Sequence, residues 1–212
     1  MIKLFDYELS GNCYKVRLML SLLGLEHEIV PVNFIEGEHK SPLFLKLNPL
    51  GQVPVLIDDD LVIHDSQAIL VYLARRYGCE NWLPIKPESM GKVMQWLSIT
   101  ANEIQHGLAT ARLHFVFNLK IDLELAQQRA DMILKVLDEH LQERNWLELD
   151  RPTIADVACY PYVKLAPEGG ISLEAYPNVV AWIDRIKKLK GYVGIPVSVV
   201  TIPSPKSRGA NL

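Results

Sequence analysis

The sequence of 212 residues predicts a small α/β domain followed by an all-α domain. Three observations carry that prediction. Up to residue 78, short apolar runs of strand type alternate with helical patterns in the order strand, helix, strand, helix, strand, strand, helix. The stretch CENWLPIKP at 79–87 holds two prolines and little periodicity, and every later pattern is helical. The expected division is therefore 1–78, a linker at 79–87, a helical domain at 88–195 and a tail at 196–212.

Residues 2–7 alternate as a strand, and Ser10-Gly11-Asn12 turn the chain into a helix carried by Val16, Leu18, Met19, Leu20 and Leu23. Gly24 stops that helix as a C′ residue. Glu28–Val32 reads as a second strand, and its internal Pro31 demotes it to a sheet edge because proline cannot donate to a ladder. Ser41-Pro42 supplies an N-cap and a first-turn proline for a short helix through Phe44, Leu45 and Leu47. Val55-Leu56-Ile57, three aspartates and Leu61-Val62-Ile63 then read as a hairpin, headed by Pro54. Asp65 or Ser66 caps the helix that follows, through Leu70, Leu73 and Tyr77. Beyond the linker, helices are expected at about 89–117, 123–141, 154–163 and 177–189. Thr153 and Asp156 have capping-box spacing at the head of the third. The tail, IPVSVVTIPSPKSRGANL, has three prolines and no period; it is read as disordered or lying over the cleft between the domains.

Composition excludes several classes of function. A net charge of -3 gives no basic balance for nucleic acid or anionic lipid. No apolar run reaches the roughly 18 to 20 residues of a membrane span. The opening Met1-Ile2-Lys3-Leu4-Phe5 lacks the features of a signal peptide, so a cytoplasmic protein is expected. Cys13, Cys79 and Cys159 are odd in number and far apart, which argues against a disulfide scaffold or a cysteine zinc site. Glu103 and His106 have helical i, i+3 spacing, but a metal site would need further ligands from other helices, and no metal is expected.

The stretch NPLGQVPVLIDDDLVIHDSQA, at 48–68, suits a small peptide-like ligand. Val53 precedes a proline and has backbone groups able to pair outside the sheet. The first N–H groups of the helix after Asp65 and Ser66 favour an anion. The longer run QVPVLIDDDLVIHDSQAILVYLARRYG resembles the glutathione-binding half of a cytosolic glutathione transferase. The resemblance implies a thioredoxin-like first domain. It also implies a cis proline at Pro54, pairing of Val53 with the cysteinyl backbone of glutathione, and Asp65 and Ser66 at its γ-glutamyl end. SGNCYKVRL resembles the segment in theta- and zeta-like members whose serine activates the thiol, which makes Ser10 the catalytic candidate. His39 and Lys40 resemble the residues that reach the glycyl carboxylate, and Gln52 is an added amide contact. The LSGNCYKVRL start, GEHKSP and the passage LVYLARRYG to WLP look most like the chi class described from cyanobacteria.

The chemistry implied is conjugation of a thiolate to a small electrophile, a detoxification reaction with glutathione as co-substrate. A free thiol with pKa about 8.5 is only a few per cent ionised at pH 7. Lowering that pKa by about two units means stabilising the anion by roughly 2.7 kcal/mol, and one hydrogen bond to a charged group supplies up to about 3 kcal/mol. Asn12 could add a second donor. Cys13 and Tyr7 are rivals to Ser10: the first stands where a thioredoxin carries Cys-x-x-Cys, though serine in the leading position cannot form a mixed disulfide. For the electrophile, helical phase selects His106, Ala109, Arg112, Leu113 and Phe117. Asn102 or Glu103 is a weaker candidate for reaching the γ-glutamyl group across a dimer interface. The resemblance implies a homodimer. The alternatives are a non-catalytic glutathione-binding or regulatory protein of the same fold, or a glutathione-dependent peroxidase or reductase.

Overall fold

A computed structural model describes residues 1–196 and Ser198. Strands β1 (Ile2–Asp6), β2 (His27–Pro31), β3 (Val55–Asp58) and β4 (Leu61–His64) form one sheet in the order β2-β1-β3-β4. β1 and β2 run parallel, so their connection must cross over, and helix α1 (Gly11–Leu22) is that crossover. β3 and β4 pair antiparallel with Asp58 opposite Leu61, leaving Asp59 and Asp60 as the turn. β2 lies at the edge and ends on Pro31, as the missing N–H of proline requires.

Ser41 caps α2 (Pro42–Leu47), its Oγ accepting from the Phe44 N–H at 3.2 Å. Asp65 caps α3 (Ser66–Tyr77). A short helix, α4 (Cys79–Trp82), occupies part of the stretch expected to be irregular. The chain then enters one long helix. It runs as α5 (Pro87–Ile99), a wide-turn segment Thr100–Ala109 and α6 (Thr110–Phe117), with helical backbone angles across both joins. In the middle segment the backbone bonds span five residues, as where the Thr110 N–H donates to the Gln105 carbonyl. The Thr110 hydroxyl donates to the same carbonyl at 2.9 Å. Gly107 lets this segment touch α7 (Leu123–Leu141), since a Cβ there would lie 2.8 Å from the Ala130 nitrogen.

The two parts share a core. One hydrophobic cluster runs from Leu4 and Leu56 through Leu18 and Leu70 to Val157 and Trp182. α1 packs on α3 and on α8 (Ile154–Lys164), which explains why its Cys13, Tyr14, Val16, Leu18, Met19 and Leu20 are all fully buried. α9 (Pro177–Lys187) closes the bundle against α7. The expected tail falls almost wholly outside the described residues.

The capping box at the head of α8 is present. Asp156 is buried and accepts from the Thr153 N–H at 2.9 Å, the Leu147 N–H at 3.0 Å and Trp182 Nε1 at 2.9 Å. Burial pushes its carboxyl upward, and these donors pull it back. Removing the carboxylate strands three buried donors, each worth about 1–3 kcal/mol. Asp156→Ala is therefore expected to lower unfolding free energy by at least about 3 kcal/mol. A urea titration checks this, and a midpoint within error of the parent would refute the assignment.

Candidate functional site

The turn between β1 and α1 is built by its own sequence. Ser10 has extended backbone angles (φ −77°, ψ 119°), and its Oγ accepts the Cys13 N–H at 3.2 Å as the N-cap of α1. The residue lines the cavity described below, and its hydroxyl hydrogen is free to rotate toward a ligand there. Three ties hold this turn. Arg17 reaches Asp6 Oδ2 at 2.7 Å and the Glu8 carbonyl at 2.8 Å. Arg112 Nη1 donates to the Leu9 carbonyl at 2.8 Å. Gly11 lies so close to α8 that a Cβ would stand 2.7 Å from the Tyr162 ring, so any side chain there would have to displace that ring.

A second group of residues comes from the loops around β3 and α3. The Val53–Pro54 peptide is cis, as the resemblance implies. Asn48 Nδ2 donates to the Gln52 carbonyl at 2.8 Å and fixes the preceding loop. Asp65 holds a left-handed φ of 72°, unusual outside glycine, and its Oδ1 accepts from the N–H groups of Gln67 and Ala68 at 2.9 and 3.0 Å. Ser66 Oγ donates to Asn12 Oδ1 at 3.4 Å. In the single helical turn Glu38–Lys40, the His39 ring stacks on Phe34 at 4.2 Å and Lys40 Nζ donates to the Leu50 carbonyl at 3.0 Å.

These groups meet at one cavity of about 650 Å³. Ser10, Asn12, His39, Lys40, Gln52, Val53, Asp65 and Ser66 all line it. Pro54 is buried and does not. Ala109, Arg112, Leu113 and Phe117 line the opposite wall. His106 is exposed and faces elsewhere, and Gln105 stands in its place. The reason is the wide-turn segment: five-residue bonds put more residues in each turn than an α-helix has, so residues upstream of Ala109 fall out of the assumed phase. Asn102 and Glu103 are exposed, bond to each other at 3.0 Å and do not line the cavity.

The sequence reading missed several lining residues. Phe34, not named from the sequence, packs 4.8 Å between ring centres from Tyr7, the rival to Ser10, and Tyr7 lies 6.2 Å from Phe117, so that the three form an aromatic wall. Tyr162 reaches the cavity from α8, a helix that carried no functional signal. Lys15, with 1% exposure, lies in α1 among core residues and donates to Asn12 Oδ1 at 2.8 Å. Among the described residues, no group of three or more His, Cys, Asp or Glu side chains is placed to hold a metal ion.

Cys13 is fully buried, and burial pushes its thiol up to about 12. At pH 8 that leaves about one thiolate in ten thousand. Cys159 is buried in the same way, whereas Cys79 is exposed. A disulfide reagent at pH 8 is therefore expected to titrate one thiol in the native protein and three after denaturation. Cys13→Ala is expected to keep glutathione affinity and turnover within about twofold, because a buried neutral thiol behaves as a small apolar group. Fast native labelling of Cys13, or loss of turnover in that variant, would return it to the chemistry.

Comparison with known proteins bears on both parts. Residues 1–75 match the model for "Glutathione S-transferase, N-terminal domain" and residues 88–189 that for "Glutathione S-transferase, C-terminal domain". The chain is 33% identical over 226 aligned positions to glutathione S-transferase 3 of Zea mays, covering 99% of each. It is 32% identical over 186 positions to maleylacetoacetate isomerase of Pseudomonas aeruginosa, covering 84% of this chain and 87% of that protein. A crystal structure of glutathione S-transferase from Pseudomonas fluorescens superposes with a TM-score of 0.86 at 32% identity, covering 92% of this chain and 98% of that one. The likeness extends over the thioredoxin-like N-terminal part and the helical C-terminal part alike. With both family models matched in order and this identity held along the whole chain, the protein belongs to the cytosolic glutathione transferase family.

Proposed function

We propose that this chain conjugates the thiolate of glutathione to small electrophiles and that the Ser10 hydroxyl donates the hydrogen bond that stabilises the sulfur anion. The observation that carries the reading is the state of that hydroxyl. Its oxygen is occupied as the α1 N-cap, while the residue lines a cavity beside the positive end of α1. The hydroxyl hydrogen rotates freely, so it can donate to a thiolate bound in the cavity.

The remaining contacts follow from charge and geometry. In this reading Asp65 takes the ammonium of the γ-glutamyl end, and Ser66, at the positive end of α3, takes its carboxylate. Val53 pairs with the cysteinyl backbone, Gln52 adds an amide, and His39 with Lys40 faces the glycyl carboxylate. The aromatic wall of Tyr7, Phe34 and Phe117, with Ala109, Arg112 and Leu113, receives the electrophile. The division at 1–78, 79–87 and 88–195 goes with this reading, the first part holding glutathione and the second closing the electrophile's side. The serine-type context of Ser10 supports a theta- or zeta-like member, with the chi class as the specific assignment. A cytoplasmic homodimer acting in detoxification completes the proposal. Among the described residues, no helix is long and apolar enough to cross a membrane.

The test is calorimetric titration with glutathione, followed by assays on aryl halides, isothiocyanates and hydroperoxides. Binding with turnover is expected. Binding without turnover on any of them would favour the regulatory reading, turnover on hydroperoxides alone would favour the peroxidase, and no binding would overturn the site. Ser10→Ala is expected to bind glutathione within about threefold of the parent. It should lose most of the bound thiolate's ultraviolet absorbance and about 100-fold in kcat/KM, the equivalent of two pKa units.

A further inference from the structure

Lys15 is a charge in an unusual place. It sits on the second turn of α1 with 1% exposure, where the surroundings are Tyr162 and Cys159 of α8 and Asp65 at the head of α3. Burial lowers it from the ordinary lysine value to about 8, so at neutral pH it remains mostly an ammonium. No carboxylate of the described residues lies within ion-pair distance of it. Its partners are the Tyr162 ring, 5.4 Å from Nζ, and Asn12 Oδ1 at 2.8 Å.

An ammonium donates and never accepts, so the Asn12 atom facing it must be the amide oxygen. The Ser66 hydroxyl approaches that same oxygen at 3.4 Å. With Oδ1 facing two donors, the amide nitrogen is turned away from them. Nδ2 makes no hydrogen bond among the described residues and is not buried, and Asn12 lines the cavity together with Ser10. We propose that Lys15 is a positioning residue for thiol activation, its buried ammonium fixing the Asn12 amide so that Nδ2 donates to the glutathione sulfur alongside the Ser10 hydroxyl. The proposal rests on the glutathione reading above and adds to it a second donor with a cation behind it.

The experiment is a pH titration of the ultraviolet absorbance of glutathione bound to the parent, Lys15→Met, Asn12→Ala and the double variant, with thermal midpoints and steady-state kinetics on each. Lys15→Met is expected to raise the bound thiol's pKa by about one unit and to lower kcat about tenfold. KM for glutathione should change less than about threefold, and the thermal midpoint should hold or rise because a buried charge has been removed. The double variant is expected to match Asn12→Ala within about twofold, since Lys15 acts through that amide. Lys15→Gln, which keeps a donor but loses the charge, should shift the thiol in the same direction by less, and it stands in should the methionine variant not fold. An unshifted thiol pKa in both Lys15 variants overturns the proposal, as do independent, multiplying effects in the double variant. A purely structural lysine would lower the midpoint and weaken binding while leaving the thiol's pKa in place. Failure of the parent itself to bind glutathione or depress its thiol would overturn the functional reading, a result distinct from parent activity with an indifferent Lys15.

Discussion

Arg112 ties the catalytic turn to the helical part of the molecule. Its Nε donates to Glu168 Oε2 at 2.7 Å and its Nη1 to the carbonyl of Leu9, the residue before Ser10. Both charged side chains are almost wholly out of water, at 3% and 8% exposure. Such a pair is expensive to desolvate, and holds only with close geometry and further hydrogen bonds. Ser198 supplies two of these, donating through its N–H and its hydroxyl to Glu168, each at 3.0 Å. The position of the Ser10 hydroxyl thus depends on a cation from α6, a carboxylate after α8 and a residue near the end of the described chain. With Gly11 pressed on Tyr162 from the other side, the first part folds its own sheet but relies on the second to place its donor.

The electrostatics of the cavity follow from that arrangement. The N-caps of α1 and α3, Ser10 and Asp65, both line it, so two helices present their positive ends to the same space. Carboxylate and thiolate groups are favoured there before any side-chain cation is counted. Ser10 and Cys13 lie within one turn of each other and differ in burial: one faces the cavity, while the other is sealed in the core and held neutral. Proximity in sequence to the reacting centre does not make a nucleophile when the surroundings exclude charge.

Much of this was legible in the sequence wherever the signal was local. The edge position of β2 followed from Pro31, the cap of α2 from Ser41, the box at Thr153 from its spacing, and the limits of α7 coincide with its pattern, while the structure chose Asp65 over Ser66 as the cap of α3. Resemblance pointed to residues that converge on one cavity, although their roles there stand as a proposal. What escaped was non-local. Lys15 looks like an ordinary polar position in an amphipathic helix until α8 is laid over it. Phe34 lies in an irregular loop, and Tyr162 in a helix that reads as pure core. His106 was misplaced because periodicity assumes one helical pitch throughout, and the long helix has two.

That change of pitch has an implication for how specificity in such a cleft can diverge. Removing one residue ahead of Gln105, so that the segment relaxes to ordinary turns, would return His106 to the i−3 phase with Ala109 that an α-helix gives it. The titratable imidazole of His106 would move toward the cleft, beside the neutral amide of Gln105. A single-codon deletion, with no substitution in the wall, would thereby alter the substrate-facing chemistry. In this architecture insertions and deletions in a helix count as changes to the active-site surface.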